Sequence, residues 1–265
     1  MRRFYFFLIP LLLQSCSSMY IPAVRSIPLL EKKGEFQGEA GVSTNSVYAN
    51  GSYAFTNHIA ASINGNLSYR NFSSWYDLFS DIPSLGIDPN WESGGKFAHR
   101  YGEVSLGKIN MITSRAPKLE IFGGMGMGRA TDTRSNYYYD YYKEGNYYEC
   151  DYYSFFGQGN FGIKKRIFEA GVSMRLAYSR FSYAATNSGE DFSFQNKFGA
   201  FHLEPMGFIR VGGKNLKFVY RIGTHLAFTN NTIEYPNLRG FDDNGKLEYT
   251  IFHCSIGISY RISGK

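Results

Sequence analysis

Histidine and carboxylate residues at close spacing are the first candidates for chemistry in this chain. His99 precedes Glu103 by four residues and His202 precedes Glu204 by two. Either pair could act as an acid–base dyad if the fold brought a nucleophile to it. With five histidines spread among 22 acidic residues, however, such spacings also arise by chance. We therefore predict no catalytic residue, and no Cys/His spacing or binding motif points to a metal or a cofactor.

The start of the chain carries the pattern of an export signal. A short basic region, Met1-Arg2-Arg3, precedes the apolar run Phe4–Leu13, which is too short to cross a bilayer as a helix. The run ends in Leu13-Gln14-Ser15-Cys16, which resembles a bacterial lipobox. We predict a signal peptide over residues 1–15 and lipidation at Cys16. The alternative is an ordinary secretory signal that is cut near Ser18 and discards Cys16.

Tyrosine dominates one segment of the middle of the chain. It contains Tyr137, Tyr138, Tyr139, Tyr141, Tyr142, Tyr147 and Tyr148, and it ends near Cys150. Tyrosine offers a large contact area with a polar tip and few rotatable bonds, which suits recognition loops. One interpretation is a surface loop that binds an extracellular glycan or protein. The other is a low-complexity loop that packs on its own protein.

Period-2 alternation of apolar and polar residues predicts the elements that carry these groups. Ten segments alternate in this way, from the strand that starts near Phe36 to the one that ends near Ile262. Pro205 interrupts one of them and predicts a bulge or a strained ladder. Residues 16–33, with Pro22 and Pro28, predict a periplasmic tether, and residues 34–265 predict one barrel. The fold class is therefore all-β, an antiparallel up-and-down transmembrane barrel of about ten strands.

The lengths of the connections decide between a soluble barrel and a membrane barrel. Links after every second strand are short, whereas four of the links on the other side, between 71 and 245, are long and polar. Short periplasmic turns and long outer loops are typical of outer-membrane barrels. We expect the N-terminus in the periplasm and the long loops outside the cell. The apolar faces then contact outer-membrane lipid.

In this orientation the polar faces line the lumen and carry charges of both signs. They include Glu103, Glu120, Glu169, Arg175, Glu204, Arg210, Arg221 and Arg261. We predict that they form cross-strand ion pairs that fill a narrow barrel, with an ion path as the alternative. Three glycines in the expected lumen, Gly124, Gly126 and Gly128, predict a gap in that filling.

Composition excludes some partners and adds little about others. The formal charge of +6 comes from basic residues scattered among acids, so the chain has no footprint for nucleic acid. Cys150 and Cys254 have no metal-site spacing, and we treat them as free thiols. The oligomeric state stays open.

Two stretches near the start of the chain carry a resemblance to known proteins. They are Cys16…Tyr20-Ile21-Pro22…Pro28-Leu29-Leu30-Glu31-Lys32-Lys33-Gly34-Glu35 and Tyr53-Ala54-Phe55-Thr56-Asn57-His58-Ile59. Together they resemble a group of uncharacterised outer-membrane β-barrel lipoproteins of Gram-negative bacteria. This resemblance implies location and fold, and the group has no established activity to transfer. We expect a structural or surface-interaction protein. A narrow solute channel is the alternative, and an outer-membrane hydrolase acting on lipid or peptide is the third hypothesis.

Overall fold

The computed structural model describes residues 20–44, 46–71, 95–112, 117–138, 141–187, 193–228 and 252–263. Within these ranges the regular structure is antiparallel β-sheet. No helix there is both long enough and apolar enough to cross a membrane. The strands are β1 Phe36–Ser43, β2 Val47–Ala54, β3 Ile59–Asn71, β4 Gly95–Lys108, β5 Pro117–Tyr138, β6 Tyr141–Lys164, β7 Phe168–Asn187, β8 Ser193–Gly212, β9 Leu216–Thr224, β10 Leu226–Phe228 and β11 Phe252–Ile262.

The sheet closes on itself as a ten-stranded barrel, which confirms the predicted fold class. From β1 to β8 each strand pairs with the next, β8 then pairs with both β9 and β10, β9 pairs with β11, and β11 pairs with β1 to close the ring. β9 and β10 are two parts of one strand that is interrupted at His225, opposite Glu204 and Pro205. Proline has no N–H to donate to the ladder, so pairing lapses there. The register is the same on both sides of the gap, so Pro205 causes a strained ladder and no bulge.

The strands are staggered around the barrel. Paired residues can be followed once around the ring from Ala170, and the path returns to the same strand at Ser182, 12 residues further along (182 − 170). A stagger of this size tilts the strands by about 40° from the barrel axis. Each strand residue therefore rises by about 2.5 Å along the axis.

The outer wall is apolar over a band that is flanked by charge. Large outward side chains such as Met127 and Phe218 are each 73% exposed, whereas the inward side chains of the same strands are buried. Outward Tyr178 and Phe201 pack against each other at 4.9 Å between ring centroids, near one border of the band. Just beyond this border β5, β6 and β7 carry Arg129, Asp151 and Arg180, which also face outward. An apolar band with aromatic borders is the surface that a bilayer requires of a barrel.

The two ends of the barrel differ in the length of their connections. The short-turn end, as we name it, carries the links 55–58, 109–116, 165–167 and 213–215. The long-loop end carries the links 72–94 and 229–251, which lie outside the described residues, and the β5–β6 and β7–β8 hairpins. The β1–β2 hairpin is the exception at this end. Its strands stop at Ser43 and Val47, still within the apolar band.

Arginine placed in the middle of the apolar band should destabilise the barrel. Met174 faces outward midway between Phe168 and Arg180 on β7 and is 49% exposed, so Met174→Arg is expected to lower the free energy of unfolding by about 2–4 kcal/mol. Ser182→Arg, outward on the same strand beyond Arg180, is the control and should cost less than about 1 kcal/mol. Urea titration of both variants in lipid vesicles measures the difference. Equal stabilities would contradict a lipid-facing wall.

Candidate functional site

Residues 20–30 lie inside the barrel and form a plug. Every residue of this segment is buried, and the side chains of Ile27, Leu29 and Leu30 are fully so. Ile27 and Leu29 pack against Met206 and Phe208 of β8, and Leu30 packs in a second cluster with Phe122. This placement differs from the periplasmic tether expected from the sequence. The physical reason is that burial of three large aliphatic side chains contributes about 1.5–3 kcal/mol each, which a solvated tether would forgo.

Side chains of the barrel wall take the place of a backbone ladder for the plug. Four successive carbonyls, those of Ser26, Ile27, Pro28 and Leu29, accept hydrogen bonds from the wall. The donors are Gln158 Nε2 at 2.8 Å, Arg210 at 2.7 Å, Arg261 at 2.8 Å and Lys164 Nζ at 3.1 Å. The Leu30 N–H in turn donates to Glu120 Oε1 at 2.8 Å. A buried extended segment has to have its polar groups satisfied, and here the wall does it.

The plug runs along the barrel axis. Its contacts with β6 pass from Lys164 at the short-turn end, through Gln158, to Tyr152. Tyr152 meets Tyr20, the first described residue, at 5.3 Å between ring centroids. After Leu30 the chain leaves the barrel at the short-turn end. Gly34, with φ of 77°, then turns it into β1, where the Gly34 N–H donates to the carbonyl of Ala54 at 2.8 Å.

An ion-pair network surrounds the half of the plug that lies nearer the short-turn end. Glu169 of β7 lies at its centre, with Arg210 at 3.1 Å, Lys217 at 3.1 Å and Arg261 at 3.0 Å, and its side chain is fully buried. Arg210 also reaches Glu39 at 3.3 Å, and Arg221 bonds the other oxygen of Glu39. The predicted lumen charges Glu169, Arg210, Arg221 and Arg261 are thus brought together here. Glu120 is placed apart from the others, on the Leu30 N–H and Asn160.

A second set of charges lies nearer the middle of the lumen. Arg175 forms a bidentate pair with Glu103, at 2.8 and 2.7 Å. Glu204 accepts a hydrogen bond from the Tyr20 hydroxyl at 3.0 Å and lies 3.6 Å from the Arg25 guanidinium of the plug. Arg25 also donates to the main-chain carbonyl of Glu204 at 2.6 Å. Glu204, which we expected to pair across the wall, is therefore bonded to the plug.

The histidine–carboxylate pairs do not form dyads. His99 Nε2 is 2.7 Å from the Tyr152 hydroxyl, while Glu103 is held by Arg175. His202 Nδ1 is 2.9 Å from His225 Nε2, and the Tyr20 ring stacks on His202 with centroids 4.6 Å apart. Access to His202 from the plug side is covered by this ring. Among the described residues, no group of three or more His, Cys, Asp or Glu could hold a metal ion.

Most of the tyrosine-rich segment is a strand hairpin and not a loop. β5 continues to Tyr138 and β6 starts at Tyr141, so that Tyr137 pairs with Tyr142 and Tyr138 with Tyr141. Tyr147 faces outward and donates to Glu149 at 2.9 Å, whereas Tyr148 faces the lumen and is buried. Tyr148 is thus not on the surface as expected. Tyr139 lies outside the described residues, as do Cys16 and the rest of 1–19.

Aromatic rings close the gap predicted at the glycines. A Cβ atom on Gly124 would overlap the ring of Phe156, one on Gly126 the ring of Tyr101, and one on Gly128 the ring of Tyr152. The glycines therefore make room for rings that fill the lumen. Cys150 faces the lumen and Cys254 faces outward, so both are free thiols on opposite sides of the wall.

A shallow groove of about 460 Å³ lies on the apolar outer wall. Small residues, Gly51, Ala61 and Gly123, form its floor between the larger Tyr53 and Leu106. It crosses strands β2 to β5 within the lipid-facing band, nearer the short-turn end, where β2 ends at Ala54 and β3 begins at Ile59.

The closed ten-stranded ring, the apolar band and the polar, plugged interior define an integral outer-membrane β-barrel. The solved structure of the outer membrane protease OmpT from Escherichia coli is similar in fold, with a TM-score of 0.56 at 11% identity, over 88% of this chain and 94% of that one. The outer-membrane expressed OmpT of Vibrio cholerae also aligns, at 10% identity and a TM-score of 0.19, over 88% of this chain and all of that one. No protein family and no curated protein matches the sequence.

Proposed function

We propose that this protein is a lipid-anchored, plugged barrel that displays the β5–β6 hairpin at the cell surface. The observation that carries the proposal is the plug, because residues 20–30 are buried inside the barrel and bonded to its wall, which opposes passage of water and solutes. Such a barrel serves as a scaffold for what it presents at its ends. In this proposal the short turns face the periplasm, the long-loop end faces the exterior, and Cys16 carries the lipid.

The hairpin supports a role in surface interaction. β5 and β6 run on for nine and ten residues beyond Arg129 and Asp151, to Tyr138 and from Tyr141 (138 − 129 and 151 − 141). At about 2.5 Å of rise per residue, the hairpin projects by about 25 Å above the border of the apolar band. The described part of the hairpin ends in the pairs Tyr137–Tyr142 and Tyr138–Tyr141, and the proposed ligand is an extracellular glycan or protein.

Shortening this hairpin should abolish surface binding and leave the barrel intact. In the test variant, Asn-Gly replaces residues 135–145 and joins Arg134 to Asn146, which are paired in the structure. Cells that express this variant are expected to lose at least tenfold of the wild-type signal on a glycan array. A matched variant carries Tyr→Phe at Tyr137, Tyr138, Tyr141 and Tyr142, and separates the rings from the hydroxyl groups. Equal signals from all three proteins, together with equal cross-linking to a panel of extracellular proteins, would refute the role in binding.

A narrow channel is the second candidate, and the polar lining of the lumen favours it. Conduction requires the plug to leave the lumen, because the Ile27 carbonyl is bonded to Arg210 of the wall and the Arg25 side chain is bonded to the main-chain carbonyl of Glu204. Hydrolysis is the third candidate. The protease named among the similar structures shares only the fold with this chain, and Tyr20 covers His202. Labelling with a fluorophosphonate probe would expose a nucleophilic serine.

A further inference from the structure

The plug fixes the side of the membrane from which the N-terminal residues emerge. Tyr20 contacts Tyr152, which lies 12 residues above Lys164 on β6 (164 − 152), and His202, which lies ten residues above Gly212 on β8 (212 − 202). At about 2.5 Å of axial rise per residue, Tyr20 lies about 25–30 Å above the short-turn end. The hydrocarbon-facing band of an outer-membrane barrel is about 25 Å tall, so Tyr20 has already crossed it.

Outward charges give an independent marker of the same height. Tyr152 is next to Asp151, which forms a 3.7 Å pair with Arg129 on the outside of the wall. Phe181, whose ring centroid is 5.9 Å from that of Tyr20, is next to outward Arg180. Tyr20 therefore lies level with the charged border of the band at the long-loop end.

Cys16 precedes Tyr20 by four positions, and four residue-to-residue steps span at most about 14 Å. That reach is too short to return Cys16 to the leaflet at the short-turn end, about 25 Å away. From the level of Tyr20, the same reach brings Cys16 out of the lumen at the long-loop end.

We propose that the mature chain is threaded through its own barrel, so that Cys16, with the lipid attached to it, emerges at the long-loop end, on the side of the outer leaflet. This inference rests on the proposed lipidation of Cys16, and it replaces the periplasmic N-terminus expected from the sequence. Lipid anchor and display hairpin are thereby on the same side of the membrane.

Epitope tags at two positions of the full-length chain test the threading. One tag is inserted between Ser18 and Met19, and the control tag between Gly213 and Lys214 of a short turn. We expect antibody to reach the first tag on intact cells, and the second only after the outer membrane is permeabilised. A folded barrel stays folded in detergent until it is heated. A shift in gel mobility between the unheated and the heated sample of each tagged protein therefore verifies that the barrel has formed. Tags that are accessible from the same side would overturn the threading.

Metabolic labelling with palmitate separates this inference from the proposed lipidation and orientation. We expect the wild type to incorporate the label and Cys16→Ser to lose it. We also expect the two tags to be accessible from opposite sides of the membrane. Absence of label with the tags on opposite sides would overturn the anchor and leave the threading. If antibody reached only the Gly213 tag on intact cells, the short turns would face the exterior, opposite to the proposed orientation of the barrel. The lipid would then lie in the inner leaflet.

Discussion

Deletion of residues 20–30 should convert a silent barrel into a conducting one. Wild-type protein in planar bilayers is expected to show no steady conductance, because the plug fills the lumen from Leu30 at the short-turn end to Tyr20. The deletion removes 11 residues and exposes Lys164, Arg210 and Arg261, whose bonds to the plug carbonyls are lost. We expect stable openings at least tenfold above background, since the polar side chains that bonded the plug then line an open path through the barrel.

A cysteine lock keeps this prediction falsifiable if the deletion variant fails to fold. Ser26 of the plug and Ser52 of β2 have their hydroxyl oxygens 2.7 Å apart, so Ser26→Cys with Ser52→Cys should form a disulfide in an oxidising compartment. Ser26→Cys with Ser182→Cys is the control, because Ser182 faces outward. Failure of the first pair to cross-link, measured as free thiols by alkylation, would show that the plug is not in the lumen. Openings in the locked protein as large as those of the deletion variant would refute plugging as the reason for silence.

The barrel could be predicted from the sequence because its physical cause is local. A strand with one face in lipid and one face in a polar lumen must alternate, and the alternation survives in nearly every segment, including Phe168–Asn187 and Phe252–Ile262. Strand number and the inward position of residues such as Glu169 and Arg175 follow from that pattern. The extent of the tyrosine hairpin was missed because Asp, Asn and Lys interrupt its pattern and favour turns.

The plug could not be predicted because nothing in its own sequence is periodic. Its position depends on bonds from Gln158, Arg210 and Lys164 to main-chain carbonyls, and a carbonyl leaves no trace in the sequence. Pro22 and Pro28 indicated irregular structure, which is correct, but they do not say where that structure lies. One signal was available: Ile21, Val24, Ile27, Leu29 and Leu30 make the segment too apolar for a tether in water.

Loss of the negative charge at Glu169 should destabilise the barrel more than any other change at a lumen carboxylate near the plug. Arg210, Lys217 and Arg261 all lie within 3.1 Å of this one carboxylate, whose own side chain has no exposed surface. Glu169→Gln keeps the size and leaves three buried cations short of a partner. Removal of one partner from a buried pair costs about 3–5 kcal/mol.

Two comparisons separate the buried charge from other effects of Glu169→Gln, with the midpoint and slope of urea unfolding in vesicles as the measurement. Glu149→Gln breaks the outward pair with Arg129, which is partly exposed, and should cost less than about 1 kcal/mol. Glu169→Gln with Lys217→Met removes one cation together with the carboxylate charge. It should recover part of the loss, since contacting residues in one network are not additive. A stability of Glu169→Gln equal to that of Glu149→Gln would mean that the lumen is hydrated enough to screen its charges, and that the network does not hold the barrel and plug together.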